Sequence, residues 1–126
     1  MKAHIDLDIT QSKARTLVKK ACSDFEISIC NVWFICINDK GLVGWYSPEC
    51  TNMSAYMMIE KKWSRRLILV LHELTHHLQY IEYEDISSSH GTQFSLTKSR
   101  IATWARNNIS KKYDWVALLT AQSIEG

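Results

Sequence analysis

An α+β fold in one domain is what the sequence predicts: an N-terminal helix, a three-stranded, mainly antiparallel sheet, and then helices. The main observation is a change of period. Apolar residues recur at helical spacing from Ala14 to Phe25, give way to β-branched and aromatic runs between Ile27 and Glu60, and return to helical spacing from Leu67 onward. The second is length, since 126 residues hold one domain and not two. The third is that only four Gly and one Pro occur, which excludes linkers and low-complexity tracts.

Element by element, the stripe Ala14, Leu17, Val18, Ala21, Cys22 and Phe25 predicts a helix over about 9–23, with Asp8 and Gln11 in the arrangement of a capping box. The run Ile27 to Ile37 reads as a strand. It ends at Asn38-Asp39-Lys40-Gly41 and resumes as LVGWYS, a pattern that predicts a hairpin of paired first and second strands. Ala55 to Glu60 (AYMMIE) is the third strand, although Met and Ala are weak strand formers. Ser64 is placed to cap a helix carrying Leu67, Val70, Leu71, Leu74, Leu78 and Ile81. A polar segment, EYEDISSS, follows. The next helix starts near Gly91 and sets Phe94, Thr97, Ile101 and Trp104 along one side; a last helix covers about 113–122.

Composition narrows the setting. Cys22, Cys30, Cys36 and Cys50 form no C-x-x-C pair, and five Trp, five Tyr and three Phe supply a core without staples, so the cysteines read as free thiols of a reducing compartment. The opening MKAHIDLDIT has two aspartates where a secretory signal needs an apolar core, and no apolar stretch approaches the roughly 20 residues that span a bilayer. An intracellular protein is expected, cytoplasmic or associated with nucleoid or nucleus, with no membrane partner.

Residues 72–76 spell His-Glu-Leu-Thr-His, the H-E-x-x-H motif. At about 100° per residue, His72 and His76 stand about 40° apart on one helical face, so both imidazoles reach one metal. The apolar residues of the same helix lie nearly opposite, which turns the histidines away from the core and toward a cleft. Glu73 lies round the helix from His72, close enough to act on water beside the metal without being a ligand.

A catalytic zinc needs three protein ligands and an open position. An acidic third ligand on a following helix is disfavoured, because Ile86 to Tyr113 contains no Asp or Glu. The H-E-x-x-H-x-x-G-x-x-H type would place its third ligand at Glu82, but Gln79 stands where the helix-breaking Gly belongs, so Glu82 stays on the helix, turned away. His90 remains. A helix running to Tyr83 carries the chain roughly 10 Å past His76, and residues 84–89 can span roughly 20 Å back. Gly91 is expected to turn the backbone tightly there, and Phe94 to anchor the next helix to the core. His77, beside the apolar stripe, reads as a packed or supporting histidine. Tyr46, Tyr80 and Tyr83 are candidate oxyanion donors, with nothing to select among them.

With these residues in view, the chain resembles the SprT-like zinc metalloprotease family, which includes the Spartan proteases that digest DNA-protein crosslinks. The resemblance covers about residues 9–110. It is carried by a Gly-containing strand pair leading into AYMMIE, the helix RRLILVLHELTHHLQY, and His90-Gly91-Thr92-Gln93-Phe94, similar to that family's H-G-x-x-F. It implies a zincin-like fold, Zn2+ on His72, His76 and His90, Glu73 as catalytic base, and hydrolysis of a protein or peptide substrate, including nucleic-acid-associated proteins. Many members continue into a zinc ribbon or DNA-binding tails; here a minimal catalytic core is expected.

Charge leaves two readings open. Lys98, Arg100, Arg106, Lys111 and Lys112 form an acid-free stretch, and Lys61, Lys62, Arg65 and Arg66 a second cluster, beside an acidic rim of Glu73, Glu82, Glu84 and Asp85. These cations are either a solvated face or a nucleic-acid contact, and a pI of 8.4 is below the usual footprint of a dedicated binder. The competing functional class is a non-catalytic module, zinc-stabilised or metal-free, that binds nucleic acid or a protein partner.

Overall fold

The computed structural model describes residues 7–37, 41–84 and 90–125. Helix α1 (Gln11–Asp24) begins at Thr10, whose hydroxyl accepts from Lys13 N–H at 3.2 Å. The predicted capping box is not formed. Asp8 instead receives two hydrogen bonds from the Arg66 guanidinium, at 2.7 and 3.0 Å, and Gln11 Oε1 accepts from Phe34 N–H at 2.7 Å. Both polar groups found long-range partners that local spacing cannot reveal. α1 buries Ala14, Val18, Ala21 and Cys22.

Glycine scarcity shows at the helix ends. Glu26 (φ 57°), just beyond α1, and Glu84 (φ 54°), ending the helix that carries His72 and His76, occupy the left-handed conformation that glycine usually fills.

Strands β1 (Asn31–Ile35), β2 (Gly44–Ser47) and β3 (Tyr56–Glu60) form one mixed sheet in the order β1-β3-β2. β1 runs parallel to β3, with Trp33 opposite Met58; β2 runs antiparallel to it, with Trp45 opposite Met58. The predicted hairpin of the first two strands is therefore corrected, and the sheet is mixed and not mainly antiparallel. Two physical reasons account for this. Residues 36–43 separate β1 from β2, longer than the tight turn that the Asn-Asp-Lys-Gly run suggested. The edge of β1 away from β3 is already occupied by α1, since Arg15 Nε donates to Val32 C=O at 2.9 Å and Gln11 takes the Phe34 amide. One edge is left, and β3 takes it. Val32, Tyr46, Met57 and Ile59 turn inward and are buried, while Trp33, Met58 and Trp45 form a row on the opposite face.

Helix α2 (Arg66–Tyr83) lies against this inner face and is covered elsewhere by α3 (Thr92–Asn108) and α4 (Trp115–Glu125). Every residue from Leu67 to Gln79 is buried. Ser64 does not cap it; its first turn is held by Leu67 N–H donating to Leu7 C=O at 2.9 Å and by the Asp8–Arg66 pair. The four cysteines are free, Cys22 and Cys30 buried, Cys36 and Cys50 exposed. Among the described residues, no helix is long and apolar enough to cross a membrane.

The Asp8–Arg66 pair makes a pH-dependent contribution. The Arg66 guanidinium holds the Asp8 carboxyl below its ordinary value, so the pair's stabilisation is complete above the unfolded value of about 3.9 and fades as pH falls through the lower folded one. Because the pair is partly solvated, Asp8→Asn is expected to cost about 0.5 kcal/mol at pH 7, in urea unfolding. The same comparison repeated at about pH 2–3 should show the difference shrinking toward zero.

Candidate metal centre

The helical spacing of His72 and His76 does what the sequence predicts: the two rings share one face of α2, centroids 4.9 Å apart. They do not look onto an open cleft. His72 is 1% exposed and His76 4%, because α2 is buried all round and the start of α3 closes over this face. His90, exposed at the chain's return, brings its ring to 5.1 Å from His72 and 4.9 Å from His76. His90 Nε2 lies 3.0 Å from His76 Nε2. One nitrogen from each of the three rings falls within 4.8 Å of the other two, a grouping that could hold a metal ion.

Phe94 is buried and anchors the start of α3, as expected, and what it packs against is the histidine set. Its ring sits 4.5 Å from His90, 4.6 Å from His76 and 5.3 Å from His72, and it is 1% exposed. It therefore backs all three imidazoles. Gly91 differs from expectation: it is the N-cap of α3 in an ordinary extended conformation (φ −81°), with open space where a Cβ would stand, so no tight turn depends on it. Within the predicted acidic rim, Glu82 pairs with Arg100 and Glu84 is exposed, while Asp85 lies outside the described residues.

Glu73 is the buried acid of the centre, 5% exposed, with Oε2 4.0 Å from His72 Nε2. Loss of water around it pushes its carboxyl up to about 8. A bound cation would oppose that shift by favouring the carboxylate. Its other neighbour is β2: a Cβ built on Gly44 would stand 2.8 Å from Glu73 Oε2. Sequence reasoning passed over this contact, and the available signal was a lone glycine inside an apolar strand run, which often marks a close approach.

His77 is a supporting residue. Its Nε2–H donates to Ser28 C=O at 2.7 Å, leaving Nδ1 to accept from the Tyr46 hydroxyl, also at 2.7 Å. Burial pushes the His77 imidazolium down in pKa and the Tyr46 phenol up, so both stay neutral. Tyr46 is thereby committed to a structural bond, Tyr80 is partly buried, and Tyr83 is exposed. Tyr46→Phe is expected to cost about 1–2 kcal/mol in urea unfolding, since it leaves a buried imidazole nitrogen without its donor.

The cations predicted to form a basic stretch are partly engaged: Lys98 donates to Thr120 at 2.9 Å and Arg100 pairs with Glu82, leaving Arg106, Lys111 and Lys112 exposed. Set beside known proteins, the chain matches no protein-family model, no curated protein and no solved structure.

Proposed function

We propose that the chain is a zinc-dependent metallopeptidase of zincin-like build, as its resemblance to the SprT-like family implies, acting on protein or peptide substrates that include nucleic-acid-associated proteins. The observation that supports this best is the pairing of a compact three-imidazole donor set with a separate buried carboxylate beside it. A site that only stores a metal needs no proton carrier beside it.

The donor set suits zinc. Three neutral imidazoles with room for a fourth, non-protein ligand are a known catalytic zinc set, and zinc–nitrogen bonds of about 2.0–2.1 Å in a tetrahedron require nitrogens about 3.4 Å apart. Nitrogens already within 4.8 Å of one another reach that by small ring rotations. His72, His76 and His90 would hold the ion, which when bound supplies a Lewis acid for a carbonyl oxygen and lowers the pKa of water. The chain's own residues do the rest. Glu73 takes a proton from the attacking water and delivers it to the leaving amine nitrogen. Phe94 fixes the three rings, and burial of α2 keeps bulk water from the inner side of the centre.

The test is to incubate the zinc-loaded chain with an unfolded protein in ¹⁸O-labelled water, with and without single-stranded DNA, and to sequence the products by mass spectrometry. The proposal expects new termini whose carboxylates carry label, stopped by a chelator and restored by zinc. Cleavage unchanged by chelation, or by His90→Ala, would contradict it.

One observation favours the second reading, a binding module. Trp33 (50% exposed), Met58 and Trp45 (49%) lie in a row across the outer sheet face, with the Arg15 guanidinium 4.7 Å over the Trp33 ring. On that reading the metal-free chain binds an oligonucleotide or a protein through this face. Tryptophan quenching by an oligonucleotide, steeply salt-dependent and indifferent to zinc, together with no cleavage in the labelled-water experiment, would favour it.

A further inference from the structure

We propose that Gly44 is a positioning residue for Glu73: the bare backbone of β2 at this point is the wall that seats the Glu73 carboxylate against the histidine centre. The assignment takes from the proposed function that Glu73 carries the proton, and adds what holds it in place.

Glycine at this position is unexplained by conformation. Gly44 lies in a regular strand, paired with Ile59, and lacks the positive φ that would require glycine; Gly41 alone among the described glycines has one. Inside a strand, glycine is a weak choice and alanine is the better one. What the position lacks is room. A Cβ would meet Glu73 Oε2 at 2.8 Å, closer than side chains tolerate, while Cδ at 3.5 Å and Cγ at 3.6 Å would be ordinary contacts, so the clash falls on the carboxylate oxygen. What limits the retreat of Glu73 is its burial: it is 5% exposed, with Oε2 4.0 Å from His72 Nε2.

The wall is itself fixed by a second contact in step with the first. Gly44 and Tyr46 are two apart on β2 and so point the same way; Glu73 and His77 are four apart on α2 and share a face. Two strand residues advance about 6.7 Å and four helical residues about 6 Å, so the strand matches the helix over this stretch. Gly44 meets Glu73, and Tyr46 bonds His77 at 2.7 Å, with His77 held in turn by the Ser28 carbonyl. The polar Tyr46–His77–Ser28 tie sets the height of β2 over α2, and the missing side chain at Gly44 leaves a slot of carboxylate size.

The experiment is a set of variants in the full chain, studied first without metal. Gly44→Ala should lower the folding equilibrium constant by about tenfold or more, through overpacking against Glu73. In a Glu73→Ala background the same change should be neutral or stabilising, because only strand propensity remains. An equal loss in both backgrounds overturns the proposal. If Gly44→Ala alone does not fold, its folding in the Glu73→Ala background supports the proposal, and failure there overturns it. With metal, Gly44→Ala should keep zinc affinity and KM within about threefold and lose kcat by about a hundredfold, with a changed absorption spectrum of the cobalt-substituted protein. Shortening the acid should reopen the slot, so Gly44→Ala with Glu73→Asp should exceed the kcat of Gly44→Ala by about tenfold. Unchanged kcat in Gly44→Ala overturns the proposal. Stability coupling between the two positions, with no hydrolysis by any form including wild type, leaves the seat standing and overturns the peptidase reading instead.

Discussion

Glu73→Gln is expected to retain zinc at one equivalent and to lower kcat by about 10²–10⁴, with KM changed little. The substitution keeps the shape of the side chain. It therefore still fits between Gly44 and His72 and leaves the three imidazoles undisturbed. What it removes is the ability to take up a proton, and among the described residues the His72, His76 and His90 grouping itself contains no carboxylate. Zinc content by mass spectrometry and cleavage of an unfolded protein, measured on the same preparation, separate the two properties. A variant that cleaves at the wild-type rate would remove Glu73 from the chemistry. A variant that loses zinc would make it a ligand or a structural support.

The second large effect is structural. Phe94→Ala is expected to destabilise the metal-free protein by about 3–5 kcal/mol, a substantial part of the 5–15 kcal/mol that holds a domain of this size together. Phe94 is fully buried and touches all three imidazoles, so its loss opens a cavity directly beneath the ligand set. Zinc affinity should fall by about 10–100-fold, as for groups that orient metal ligands. Phe94→Leu fills most of the volume and should recover most of the stability. Because the ion binds only the folded chain, excess zinc should raise the melting temperature of Phe94→Ala. Urea unfolding and competition with a zinc chelator read these outcomes. A loss below about 1 kcal/mol with unchanged affinity would show that Phe94 does not support the centre.

Much of this was legible in the residues themselves, and the rest fails for identifiable reasons. Helices α1 to α4 follow from apolar spacing because a helix buries a stripe that recurs locally in the chain. His72 and His76 share a face by the same arithmetic, and His90 is where loop length and the scarcity of other ligands put it. Strand order is different. Asn38-Asp39-Lys40-Gly41 looks like a hairpin turn, yet β3 lies between the two strands because α1 side chains occupy one edge of β1. Gln11 and Asp8, which spacing assigns to a cap, are drawn to Phe34 and Arg66, and both partners are distant in sequence. The seat of Glu73 was hidden for the same reason, since the fit of β2 along α2 is a tertiary relation that neither segment carries alone.

On the proposed function, His72, His76 and His90 bind one zinc ion together, and X-ray absorption at the zinc K-edge of the purified, zinc-loaded chain reads that ligand set. The expected spectrum shows only nitrogen and oxygen neighbours at about 2.0–2.1 Å, with the multiple scattering of three imidazoles, falling to two in His90→Ala. Sulfur neighbours at about 2.3 Å, or three imidazoles retained in His90→Ala, would contradict it.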